Sequence, residues 1–219
     1  MRYIFIVCLS MFLISCGKDK VLQLPEISYS EISEINDVSA AYLFYDESLP
    51  NRLELNRRNL ISSTNWLINV DKRLTLKQAI PTIKFLQEKK QKSEHKKENT
   101  KNYFTCNDSS KKDLGFIEFT DVVYDNAGGE IGPEDSCSIA VVNLNNIIIY
   151  PLHDPDYKSN ITNFVKEISK TLTNDKENRT ISLSFNNLLS FQDYITFKSI
   201  LSNLDLKNVT ISNHEFIFN

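Results

Sequence analysis

Glycine is scarce in this sequence, at 5 of 219 residues. Three of the five, Gly128, Gly129 and Gly132, fall in one short stretch. The GxGxxG, Walker A and GxSxG patterns are absent, so no main-chain cradle for a phosphate is encoded. Long apolar runs are also missing. The longest, Tyr3 to Ile14, has about 12 residues, or roughly 18 Å of helix, against a bilayer core of about 30 Å. It is too short for a lasting span. Net charge is only −3, which gives no nucleic-acid footprint. No CxxC pair occurs, so a cysteine-paired metal site is not expected. Histidine is limited to His95, His153 and His214. They are scattered, and spacing alone places none of them in a Ser–His–Asp set.

What is present at the start is more specific. Arg2 precedes the apolar run, and Leu13-Ile14-Ser15-Cys16 closes it, followed at once by Gly17 and Lys18. A positive start and a short apolar core read as a signal peptide over residues 1–15. The aliphatic pair, small residue and cysteine resemble the lipobox of bacterial lipoproteins. That resemblance implies a diacylglycerol group on the Cys16 thiol and cleavage before it. The acyl chains would hold the chain to a membrane, each buried CH₂ contributing about 0.8 kcal/mol. Gly17 in place of an aspartate implies the outer membrane, by analogy with lipoprotein sorting. Lys18-Asp19 is similar to the beginning of a surface-export signal, so the expected location is the cell envelope, on the periplasmic side or at the cell surface.

Removal of residues 1–15 leaves 204 residues, enough for one large domain or two small ones. The hydrophobic fraction of 41% allows a real core. Cys106 and Cys137 remain besides Cys16. In an envelope compartment they can form a disulfide closing about 30 residues, worth roughly 3–4 kcal/mol, or stay as two buried thiols.

Residues 16–39 carry charge, serine and Pro25 and read as a tether. Residues 40–45 read as a first strand and 47–59 as polar turns. Trp66, Ile68 and Val70 alternate as in a half-buried strand. Thr75 and Gln78 have capping-box spacing for a helix whose face carries Ile80, Ile83 and Leu86, with Pro81 predicting a kink or a start near Ile80. Residues 88–102 form a solvated charge run that contains His95. Residues 114–124 read as one strand and 125–137 as a long loop. Residues 138–150 read as one long strand or a hairpin turning at Asn145-Asn146. Ile161, Phe164, Val165, Ile168 and Leu172 share one helical face. Ile181, Leu183 and Phe185 alternate, with Ser182 and Ser184 expected to meet water. Ser190 and Asp193 start another helix carrying Tyr194, Phe197 and Leu201, and residues 209–218 close the chain as a strand.

The two strand–turn–helix units superpose without a gap. Trp66, Ile68 and Val70 fall on Ile181, Leu183 and Phe185, Asp71 on Asn186, Leu74 on Leu189, Thr75 on Ser190, and Gln78 on Asp193. Two copies of an internal repeat would match in this way, and so would two generic strand–helix units. The stretch FVKEISKTLTNDKENRTISLSFNNLLSFQDYITFKSILSNLDLKNVTIS resembles the periplasmic domain of the ExbD/TolR family of biopolymer-transport proteins in the order and length of its elements. Asp71-Lys72-Arg73-Leu74 is similar to that family's acid, base and apolar residue at a strand end. The family has a transmembrane helix with a proton-coupling aspartate. Residues 3–14 contain no acid, so the resemblance implies fold and not motor function.

These readings predict an α+β (or α/β) fold, with helices packed on one face of a mixed sheet and two related halves, 40–135 and 136–219. The expected function is that of a lipid-anchored, non-catalytic module binding another envelope protein or peptidoglycan, with no cofactor and no nucleic acid. The alternative is a metal-dependent envelope hydrolase using His153, Asp154 and Asp156. Pro155 suits a turn at that place. A calcium site on Asp125, Glu130, Glu134 and Asp135 lacks EF-hand spacing.

Overall fold

The computed structural model describes residues 20–95, 97–126, 137–152, 154–173, 179–204 and 209–219. The fold is α+β, with three helices and two mixed sheets of six strands each among these residues. Cys16, His153, Glu130, Glu134 and Asp135 lie outside the described residues.

The first sheet is built from β1 (Glu26–Ile27), β2 (Val38–Tyr45), β3 (Leu53–Asn56), β4 (Asn65–Val70), β5 (Asn102–Asp108) and β6 (Asp113–Glu118). Strands β2, β4 and β5 run parallel, with β3 and β6 antiparallel at the two sides. Helix α1 (Leu76–Gln91) connects β4 to β5. The second sheet holds β7 (Val123–Asn126), β8 (Cys137–Asn143), β9 (Asn146–Tyr150), β10 (Tyr157–Ser159), β11 (Arg179–Asn186) and β12 (Val209–Phe218). Its order is β10-β9-β8-β11-β12-β7, with β8, β11, β12 and β7 parallel. Helix α2 (Ile161–Thr173) precedes β11, and α3 (Phe191–Ser202) joins β11 to β12. Each half thus contains a hairpin whose first strand pairs in parallel with a strand–helix–strand unit. The alternation at Trp66, Ile68 and Val70, and at Ile181, Leu183 and Phe185, puts all six inward, with every one at most 2% exposed.

Helix α3 lies between the sheets. Phe191 and Tyr194 meet Phe104 of β5 edge-on, at ring separations of 5.2 and 6.4 Å. Tyr194 and Phe197 meet Phe185 of β11 at 5.0 and 5.7 Å. Buried residues on so many sides explain why α3 carries apolar positions around much of its circumference. Helix α2 lies beside it through Phe164 and Phe197, 5.0 Å apart. Its stripe is narrower than the sequence pattern predicts. Phe164, Ile168 and Leu172 are buried, but Val165 is 38% exposed.

Several expectations are corrected. The presumed tether is bonded into the first sheet from Gln23 onwards. Asn107 and Ser109 of the β5 side donate to Pro25 and Ile27 carbonyls, and Phe116 donates to Ile32. Gly115 is needed where this segment crosses, because a Cβ there would sit 2.7 Å from Ser30 Cβ. A short strand, β3, lies within the polar stretch 47–59, its Leu53 and Leu55 alternating with Glu54. The stretch 114–124 is two strands in different sheets, separated by a turn at 119–122. Helix α1 starts at Leu76 and contains Pro81. Ser182 and Ser184 are buried. They sit in a central strand beside Ser138 and Ala140, between the larger side chains of the flanking strands, so their short side chains are sunk below the water-accessible level.

Phe185 is fully buried among Tyr194, Phe197 and neighbouring strands. Phe185→Ala is expected to lower unfolding free energy by about 3–5 kcal/mol, read from urea denaturation with an unchanged slope.

Candidate interaction site

The strongest local constraint is where the two halves touch. The turn after β4 and the turn after β11 lie back to back. Leu76 N–H donates to Leu189 O (2.9 Å) and Phe191 N–H to Leu74 O (2.7 Å). Lys77 N–H donates to Asn187 O (2.8 Å) and Gln192 N–H to Lys72 O (3.2 Å). Thr75 and Ser190 form the antiparallel bridge between them. Each pair has its reciprocal at the register read from the sequence repeat, so a pseudo-twofold axis passes through Thr75 and Ser190. A helix start leaves its first N–H groups without helical partners. Here the first two of each helix are satisfied by the other half's turn.

Two positive helix ends meet at this point. Asp193 stands in the first turn of α3, and Asp71 precedes α1, which suits those ends. Asp71 is buried with a fully enclosed side chain. Its Oδ1 accepts from Arg73 N–H (3.1 Å) and Nε (2.8 Å), and its Oδ2 from Arg73 Nη2 (2.8 Å) and Gln23 N–H (3.2 Å). Burial opposes its ionisation, but the Arg73 guanidinium and the two N–H groups prevail and hold its pKa below the ordinary carboxylate value. Arg73 also stacks over Tyr45 at 4.6 Å. The counterpart Asn186 makes the turn bond, accepting from Leu188 N–H at 2.8 Å.

A second buried polar cluster fixes α3 to the second sheet. Glu215 of β12 is fully buried. It accepts from Tyr194 OH (2.7 Å) and Lys198 Nζ (2.5 Å), and the Tyr194 and Tyr124 hydroxyls lie 3.2 Å apart. Burial pushes both phenols well above their ordinary value. These groups satisfy one another and open onto no described cavity. They are structural, and only the buried position of Glu215 in a folded sheet reveals them.

Pseudo-symmetry also relates the flanks of α3 and α1. Along α3 the surface is covered by the chain's own residues 23–32. One amide, Gln192, holds both main-chain groups of Glu26, accepting from its N–H (2.9 Å) and donating to its C=O (2.8 Å). Along α1, β7 takes the corresponding place beside β12, with Tyr124 O accepting from Lys84 Nζ at 2.6 Å, and described residues border a cleft of about 780 Å³. Lys77, Pro81, Lys84 and Phe85 line one side, with Asn126 and Asn219 opposite.

Among the sequence-nominated residues, Asp154 and Asp156 are exposed. Among the described residues no group of three His, Cys, Asp or Glu side chains is placed to hold a metal. Asp125 Oδ2 is 2.7 Å from His214 Nδ1 on the edge of the second sheet, and both are largely exposed. His95 is exposed. Cys106 and Cys137 are buried and not bridged to one another, one in β5 of the first sheet and one in β8 of the second. Burial pushes the Cys106 thiol up to about 12. No helix among the described residues is long and apolar enough to cross a membrane.

No family model, no curated protein and no solved structure matches this chain.

Asp71 has a folded pKa below its unfolded one, so its stabilisation is complete above the unfolded value. It is lost as pH falls through the folded value. Asp71→Asn keeps the turn acceptor but removes the charge paired with Arg73. Urea midpoints should fall at pH 7 and converge with wild type towards pH 2, and a constant gap would refute the linkage. For the cysteines, the thiolate is the reactive form. Native protein should resist alkylation, and unfolding without reductant should label both Cys106 and Cys137.

Proposed function

We propose that this chain is a lipid-anchored cell-envelope protein that works by holding another envelope macromolecule, a protein or peptidoglycan, rather than by covalent chemistry. The observation that carries the anchor is Leu13-Ile14-Ser15-Cys16 at the end of a short apolar run. The acyl chains on Cys16 attach the chain to the outer membrane, and a few positions along, Lys20 bonds Asp46 and Gln23 bonds Asp71. The folded body therefore stands close to the lipid surface.

The binding role is supported by the surface. The outer face of the first sheet exposes Val38, Tyr42 and Leu114, and Tyr42 stacks with Phe44 at 6.1 Å. Scattered apolar exposure is ordinary, but aromatic side chains grouped on one sheet face mark contact surfaces. The relation to the ExbD/TolR periplasmic domain belongs to the same proposal. The order helix–strand–helix–strand and the parallel pairing of β11 with β12 are what that resemblance implies for the fold.

Cys16→Ser is expected to abolish incorporation of labelled palmitate and leave an uncleaved precursor. An unchanged mass and unchanged membrane fractionation would remove the anchor. In cells, crosslinking of the wild type should capture an envelope protein or peptidoglycan fragments, and a chain that crosslinks to neither would remove the binding role.

A further inference from the structure

We propose that a basic cleft at the β3 edge of the first sheet docks the folded body onto anionic lipid headgroups of the membrane that carries the Cys16 lipid. This goes beyond the binding role proposed above and rests on the anchor. The cleft, of about 370 Å³, is lined by Glu54, Leu55, Asn56, Arg57, Arg58 and Lys89. Its three cations come from two distant places in the chain. Arg57 and Arg58 follow the edge strand β3, and Lys89 stands in the last turn of α1. Packing of α1 beside β3 brings them to one cleft. Arg58 and Lys89 are exposed. Arg57 is half-buried, its guanidinium 4.9 Å from the ring centre of Phe85.

None of these three cations forms an ion pair among the described residues, whereas the neighbouring carboxylates are paired. Glu54 and Asp46 share Lys20, and Glu88 meets Lys92 at 3.0 Å. The charge of the cleft is therefore positive. Residues 16–19, between the anchor and Lys20, contain one base and one acid, Lys18 and Asp19, which leave that sign unchanged. The described neighbours of the segment 127–136 are Asn126 and Cys137, and both belong to the second sheet.

Charge and position together choose the occupant. Lys20 donates to Glu54 in the cleft wall, and Cys16 lies four positions before Lys20. Four residues reach at most about 14 Å when fully extended. The acyl chains therefore enter the bilayer within that distance of Lys20 and the cleft wall it bonds. Anionic headgroups attract Lys and Arg within a Debye length, about 8 Å at physiological ionic strength. Ile61 stands three residues after Arg58 and is 56% exposed. An apolar side chain next to cations suits the boundary between headgroups and acyl chains. The acyl chains supply the attachment itself. The cleft sets the orientation of the body, with the β3 edge towards the lipid.

The test uses the full acylated chain in vesicles of phosphatidylcholine, alone or mixed with phosphatidylglycerol, that also carry a rhodamine-labelled lipid. Cys106 and Cys137 are buried, so a donor dye is placed on Asn59→Cys beside the cleft, or on Val165→Cys of α2 as the comparison. Energy transfer from position 59 to the lipid should at least double when phosphatidylglycerol is present, and transfer from position 165 should not rise. High salt should remove the gain. Arg58→Glu combined with Lys89→Glu should also remove it, and this variant should melt like the wild type because both positions are exposed. Equal transfer from position 59 in the two vesicles, or a gain that survives the double variant, would overturn the docking. In cells, a photocrosslinker at position 59 should capture lipid, while capture of a protein or of peptidoglycan would overturn the choice of occupant. A chain that lacks acyl mass and does not float with the vesicles removes the anchor, whereas an acylated, floating chain with unchanged transfer removes the docking alone.

Discussion

Four main-chain hydrogen bonds between the turn at 72–77 and the turn at 187–192 organise this molecule. Each helix start would otherwise present unpaired N–H groups to a buried junction, at a cost of about 1–3 kcal/mol for each. Exchange of carbonyls between the two turns removes that cost for both halves at once. It also fixes α1 and α3 relative to one another, and with them the sheets on which each helix rests. Leu74 and Leu189, which supply two of the carbonyls, are buried at the same point, so polar and apolar terms select the same register.

The halves are alike in topology and unlike in electrostatics. Asp71 and Arg73 form a bidentate pair where the other half has Asn186 and Leu188. Glu215, Lys198 and Tyr194 form a buried network on the second sheet alone. Buried charges are expensive unless paired and hydrogen-bonded, and both clusters meet that condition. Their asymmetry distinguishes the halves: the first binds the N-terminal segment through Asp71 and Gln23, and the second ties its helix to its sheet through Glu215, Lys198 and Tyr194.

Much of this was legible in the residues. The strands at Trp66–Val70 and Ile181–Phe185 follow from strict alternation, and the helix starts at Thr75 and Ser190 from capping chemistry. Thr75 N–H indeed donates to Gln78 Oε1 (2.8 Å), and Ser190 Oγ accepts from Asp193 N–H (3.0 Å). The gapless superposition of the two units, 115 positions apart, is the register in which their turns bond. Strand β3 and the division at 119–122 were not legible. A four-residue edge strand carries too few alternations, and the apolar run LGFIEFTDVVY does not show that its two ends enter different sheets. The N-terminal segment looked like a tether because its charged and polar side chains point outward, while its carbonyls and N–H groups, which carry no sequence signature, complete the sheet.

By itself, then, the sequence determined the paired strand–turn–helix units and the register between them, because periodicity and capping each depend on residues near one another in the chain. Only the tertiary structure decided that Asp71 and Glu215 are interior charges and that Ser182 and Ser184 lie away from water. Those outcomes depend on which elements meet from separate parts of the chain, and the free energy of a buried polar group or charge is set by that meeting and not by its neighbours in sequence.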